Sequence, residues 1–238
     1  MNIKIETSIA DVFDRLSILE IKEEKIANED KLIQIKNEKS SILDELKKYR
    51  NETIDFHYST LVIVNRKIWE LLDLAKYKSN NEKEELKYYR EQEDYNERRF
   101  RIKRKIDNIL NSNIKEQKGY KLKKCFILSH LGLGDHGHNI GVIRYLSTKY
   151  DESIVVCKNS NLKNMELFFK DDKDIKFHTC DTDANISPNY GFPIEEFRKV
   201  TEGMDLYLCG THKFFKHVPY DYPFCYFDQL KLPYEIYW

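Results

Sequence analysis

None of the five cysteines, Cys125, Cys157, Cys180, Cys209 and Cys225, has another nearby in sequence. A CxxC redox motif and a closely spaced thiolate metal site are therefore both excluded. Three of them fall in or at the end of strand-like runs, where a thiol acts as a small buried hydrophobe. We read them as reduced, which points to a cytoplasmic compartment. No apolar run approaches the roughly 18 residues of a membrane span, and MNIKIETS lacks an apolar signal core. Charge of one sign is also lacking, since 40 basic residues balance 40 acidic ones. Neither half carries an excess, so composition supports neither a nucleic-acid nor a membrane partner. Alanine is scarce beside Lys, Asn, Ile and Tyr, a mark of AT-rich coding DNA rather than of chemistry.

The chain is instead rich in charge, at 34% of residues, and two patterns divide it. Residues 1–118 read as a helical, coiled-coil-like domain. Met1 to Glu6 alternates like a short strand, and Thr7 or Ser8 caps the first helix. Ile9, Val12, Leu16, Leu19, Ile26 and Ile33 lie on one stripe, interrupted by Glu23 and Asp30 and extensible to Arg50. Asn51 to His57 reads as a turn. A second helix carries Leu61, Val64, Ile68, Leu71, Leu72 and Ala75. A third runs from Glu82 to Asn111 with Leu86, Tyr89, Phe100, Ile106 and Ile109 inward. The expectation is a three-helix antiparallel hairpin or bundle. Its stripes bury against each other or against a second copy or partner chain. The basic run Arg98 to Lys105 follows Glu91, Glu93, Asp94 and Glu97, as in a solvated helix face.

Residues 121–238 alternate strands with helices. The expected strands are Cys125–Ser129, Ser153–Cys157, Asp174–His178 and Met204–Cys209. Helices follow the first two, a polar loop (Asp181 to Tyr190) and a helix (Pro193 to Glu202) follow the third, and one helical turn falls near Asp228. The predicted architecture is α + α/β, a helical bundle followed by a Rossmann-like parallel-sheet half-domain of strand order 3-2-1-4. In that order the loop Gly132–Gly137 and the loop Gly210-Thr211-His212 face one another across the switch point.

Gly132-Leu133-Gly134-Asp135-His136-Gly137 satisfies G-x-G-x-x-G between a strand and a helix. However, the acidic residue that should close the second strand is absent, since Cys157-Lys158 stands there. Asp135 inside the loop would also repel a pyrophosphate. NAD and FAD are therefore disfavoured, and no cofactor is expected. His130, His136 and His138 cluster in sequence, but neighbours at i and i+2 on a helix do not converge on one ion, so no metal is expected.

Strand, L-G-L-G-D and helix together resemble the start of GT-B glycosyltransferases of the heptosyltransferase type. GVIRYLSTKYDESIVVCKNSNLKNMELFF, DLYLCGTH, YFDQL and LPYEIYW are similar to glycosyltransferase-like proteins of giant, mimivirus-like DNA viruses. DVFDRLSILEIKEEKI resembles an uncharacterised family of helical proteins sharing V-x-[DK]-[KR]-L-[ST]-I-L-E-I-K. The first resemblance implies an acceptor-binding half in which Asp135 is the base for a carbohydrate acceptor hydroxyl. Gly132, Gly134, His136, Gly137, Gly210, Thr211 and His212 would line that site. It also implies a nucleotide-sugar domain that this sequence does not contain, and hence a chain weakly active or inactive alone. His136-Gly137-His138 departs from the family, which has apolar or small residues after the Asp. The competing expectation is an interaction or scaffold protein working through its helices, with a passenger α/β domain.

Overall fold

The computed structural model describes residues 5–119, 121–129, 132–181, 200–209 and 224–233. It divides into two compact units, Met1–Gly119 and Tyr120–Trp238. The fold is α + α/β, and the described residues of the helical unit form four α-helices rather than three. They are α1 (Ile9–Lys25), α2 (Glu29–Leu46), α3 (Glu52–Tyr77) and α4 (Glu82–Ile109). Ser8 caps α1 by accepting the Asp11 N–H at 3.0 Å. The other three helices begin at asparagines. Asn28, Asn51 and Asn81 each accept the N–H three residues on, from Lys31, Ile54 and Glu84, at 2.9–3.0 Å. Each cap satisfies a donor that the first turn would otherwise leave orphaned, and a glutamate follows each asparagine cap at the positive end of the helix dipole.

Two expectations are corrected by the structure. The first long helix breaks at Ile26–Asn28, so the stripe through Ile33 does not continue, and Ile33 is exposed. The expected turn from Asn51 to His57 is instead the start of α3. The alternating segment at the extreme N-terminus lies partly outside the described residues.

The core of this unit joins Phe13 and Leu16 of α1, Leu61 and Val64 of α3, and Ile102 and Ile106 of α4, all fully buried. Between α1 and α3 lies a polar patch, where the Asn65 amide donates to Asp14 at 2.8 Å and to Ser17 at 2.6 Å. On α4 Ile106 is buried and Ile109 packs against the core as expected, but the first half of the inward face differs. Leu86 and Tyr89 are exposed, whereas Tyr95, Arg98, Arg101, Lys103 and Lys105 are buried. Arg98 lies over the Tyr95 ring at 4.6 Å, and Lys103 Nζ sits 2.6 Å from Asp11 and 2.7 Å from Glu116. The basic run is thus turned inward as amphipathic stems with paired heads. Burial alone would lower the Lys103 ammonium's pKa, but the two carboxylates outweigh it and hold it above the usual range. Lys103→Ala is expected to cost about 2 kcal/mol in urea unfolding, through lost packing and an unmade pair. Lys103→Met, which keeps the stem, should cost clearly less.

The second unit is a four-stranded parallel sheet of order β3-β2-β1-β4. Its strands are β1 (Lys124–Leu128), β2 (Glu152–Lys158), β3 (Ile175–Cys180) and β4 (Asp205–Leu208). Helices α5 (Leu133–Lys149) and α6 (Leu162–Phe168) make the first two crossovers. A short helix, α7 (Phe224–Gln229), lies in the tail near Asp228 and packs on α5. Strand alternation gives the sheet two apolar faces. Cys125, Ile127, Val155 and Cys157 join Val142, Ile143, Leu146, Met165, Tyr226 and Phe227 in one core. Phe126, Leu128 and Val156 form the other. On α6 Met165 is buried, whereas Leu167 faces solvent. Most of the expected loop and helix between β3 and β4 (residues 182–199) lies outside the described residues.

Polar contacts fix α5 at its far end. Arg144 donates to both oxygens of Asp171 at 2.8 Å and to the Phe168 carbonyl at 3.0 Å. Ser147 donates to Asp172 at 2.8 Å. Tyr150 follows the helix, donating to Asp205 at 2.5 Å, and its hydroxyl lies 2.6 Å from that of Tyr207. Burial, Asp205 and Tyr207 together push the Tyr150 phenol far above its usual range, so it remains a donor. Cys125, Cys157 and Cys209 are free and buried, and Cys180 is free and partly exposed. Burial pushes the Cys125 and Cys209 thiols up to about 12 and the Cys157 thiol to about 11, which makes them inert as nucleophiles at neutral pH. The Cys225 side chain lies outside the described residues.

Candidate functional site

The site is built where β1 and β4 end side by side. The pairing runs to Leu128 opposite Leu208, and the Cys209 N–H then donates to the Leu128 carbonyl at 2.8 Å. The segments leaving the two strands therefore start as neighbours at the carboxyl edge of the sheet, where open α/β sheets bind ligands. Gly210, Thr211 and His212 lie outside the described residues, as does His130.

The glycine motif takes a different form from the expected loop. Only Gly132 is extended, at φ −67° and ψ 141°, and it is the N-cap of α5. The helix closes at once, with the His136 N–H donating to the Gly132 carbonyl at 3.1 Å. Gly134, Asp135, His136 and Gly137 thus form the first turns of α5. The physical reason is Asp135. An acidic side chain at the third helical position favours the positive end of the helix and its orphan N–H groups, which brings the helix start forward.

Asp135 is half-buried, and its carboxylate folds back over the cap. A Cβ at position 132 would stand 2.6 Å from Asp135 Oδ2, so the carboxylate could not stay where it is. The ordinary φ of Gly132 means that glycine is needed for this space, not for backbone freedom. Gly134 and Gly137 are different, since a Cβ at either meets nothing within 4 Å. Gly134→Ala and Gly137→Ala are each expected to stabilise the unit by about 0.5–1 kcal/mol in thermal melts, as glycines replaced within a helix. Gly132→Ala should instead leave stability nearly unchanged, because a flexible carboxylate can swing aside. NMR should then show Asp135 moved off the cap.

The histidines separate. His136 is fully buried and His138 exposed. Burial pulls the His136 imidazole down to about 4, with Asp135 opposing the shift and Lys158, the last residue of β2, adding to it. His136 is therefore neutral at physiological pH. Among the described residues no group of three or more His, Cys, Asp or Glu could hold a metal ion. Asn139, one turn along from His136 and also fully buried, was not expected at the site. Its sequence signal is the spacing His136, Asn139, Ile143 and Leu146, an inward stripe whose first two positions are polar.

The chain therefore joins a four-helix unit to a Rossmann-like parallel sheet, with a short acidic turn opening the helix that follows its first strand. Among the described residues no helix is long and apolar enough to cross a membrane. Residues 3–126, slightly more than half of the chain, match a family of unknown function (DUF6165), and the chain belongs to that family. The match takes in the helical unit and ends within β1. No curated protein and no solved structure matches the chain.

Proposed function

We propose that the second unit binds a hydroxyl-bearing acceptor at the carboxyl edge of β1 and β4, as the acceptor half of a glycosyl-transfer reaction. The observation that carries this reading is the placement of Asp135. It stands half-exposed in the first turn of α5, the helix that follows β1, and the end of β1 pairs with the end of β4. In that role the carboxylate takes the acceptor hydroxyl proton as the oxygen attacks the sugar carbon and the nucleotide leaves. Gly132 supports it by leaving room for the carboxylate at the cap. The chain by itself is proposed to bind acceptor while transferring sugar slowly or not at all.

The test titrates the purified chain with neutral sugars and with nucleotide sugars. Saturable binding of the former without the latter is expected. Tight binding of nucleotide sugars with no response to neutral sugars would overturn the reading. Wherever transfer is measured, Asp135→Asn should lower it by roughly 100- to 10,000-fold, the range for a positioned general base.

A second reading is carried by the helical unit. Helix α2 buries only Ile35 and Leu46, and Ile33, Tyr77, Leu86 and Tyr89 are exposed on α2, α3 and α4. An interaction role through these helices predicts a concentration-dependent dimer of the full chain in analytical ultracentrifugation. A monomer throughout would remove that support.

A further inference from the structure

His136 and Asn139 lie three residues apart on the buried face of α5, and both are fully sealed from solvent. Among the described residues, neither ring nitrogen of His136 and neither polar atom of the Asn139 carboxamide has a hydrogen-bond partner. Buried polar groups are almost always bonded, because each one left unpaired forfeits its hydration without return. Four such atoms within one turn of helix are therefore a concentrated cost, and apolar side chains at 136 and 139 would remove it. Their place in the fold accounts for their presence. Asp135 is at the rim of the same turn, adjacent to His136 and one turn before Asn139. Lys158, at the carboxyl end of β2, is near enough to act on the imidazole. The orphaned atoms thus lie at the ligand-binding edge of the sheet, inward of the half-exposed carboxylate.

We infer that the site at the α5 N-terminus continues inward to His136 and Asn139, which take adjacent hydroxyl groups of an uncharged polyhydroxylated ligand. This deepens the acceptor reading above and rests on it for the rim contact at Asp135. The ligand class follows from what the atoms offer. A neutral imidazole presents one N–H and one lone pair, and a carboxamide presents donors and an acceptor. The complement is a group that both donates and accepts, as a hydroxyl does. A phosphate carries negative charge and would meet the Asp135 carboxylate at the rim. A cation would find the rim carboxylate but would be met by the donors beneath it.

The full-length protein with its histidines labelled in 15N provides the test. Mannose, galactose and myo-inositol are the neutral probes, with inorganic phosphate as the anionic control. The His136 ring resonances are expected to shift saturably with at least one neutral probe and not with phosphate. Asn139→Leu should weaken that response at least tenfold while melting at the same or a higher temperature, since it replaces an unpaired carboxamide with apolar volume. A lower melting temperature would show a structural role and overturn the inference. So would a response to phosphate, or exchange with internal water and no response to any probe. Tight binding of a nucleotide sugar by a chain whose His136 still responds to a neutral probe would sink the acceptor-half reading and leave this site standing. Transfer insensitive to Asn139→Leu with a silent His136 would sink this site alone.

Discussion

Arg144→Ala is expected to destabilise the second unit by roughly 3–5 kcal/mol, the cost of removing one partner from a buried ion pair. The guanidinium side chain is 12% exposed and the Asp171 carboxylate 13%. The pair is two-pronged at 2.8 Å on each side, a geometry that only a planar fork can make. The same guanidinium holds the Phe168 carbonyl at the end of α6 and lies over the Phe169 ring at 5.4 Å. Its loss would strand a carboxylate in a poorly hydrated site and free the joint between α5 and the segment after α6. Because whole domains are stable by only about 5–15 kcal/mol, this is a large fraction. Arg144→Lys should recover only part of the loss, since an ammonium cannot bond both oxygens in one plane. Hydrogen exchange of β1 and β2 in the intact chain is the measurement. Protection unchanged in the alanine variant would show that the pair contributes little.

The second large effect is acid lability between about pH 6.5 and 4. Burial pulls His136 down to about 4 from an ordinary value of 6.5. In that window the unfolded chain binds a proton that the folded chain refuses, so unfolding gains as pH falls. Stability is complete above the unfolded value and declines by about 1.4 kcal/mol per pH unit below it, roughly 3 kcal/mol across the window. Asp135 and Lys158 are the charges acting on the ring, and they oppose one another. Paired carboxylates such as Asp11 do not blur this slope. Although burial alone would raise it, Lys103 holds Asp11 below its ordinary 3.8, so its stabilisation is lost at still lower pH. His136→Phe should flatten the slope above pH 4 in urea melts followed by β1 exchange. A slope that survives the substitution would place the acid sensitivity elsewhere.

The sheet was legible because its strands are short apolar runs separated by charged or glycine-bearing segments, which leave one parallel order consistent with short connections. The helical half was harder, for a reason visible in three residues. Asn28, Asn51 and Asn81 each precede a glutamate and each starts a helix. The same pair occurs at Asn37-Glu38 and Asn96-Glu97 in helix interiors. A good cap sequence is therefore helpful but not decisive. Packing decides, since α1 packs against both α2 and α3 and the turn at Asn28 is what lets it do so. The inward face of α4 is legible at Ile106 and Ile109 but not before them, because hydropathy counts Arg98 and Lys103 as surface residues. Their long stems and nearby carboxylates make them core residues. At the site, Asp135 and the glycines could be found from the motif. Gly132's real constraint, the carboxylate folded over it, is a contact in space that no spacing rule encodes.

That contact makes positions 132 and 135 tenants of a single volume. A homologue that has gained a side chain at 132 should have shed its acid at 135 or let it swing away from the helix start. The two columns of an alignment ought to drift in step even where the rest of the turn varies freely.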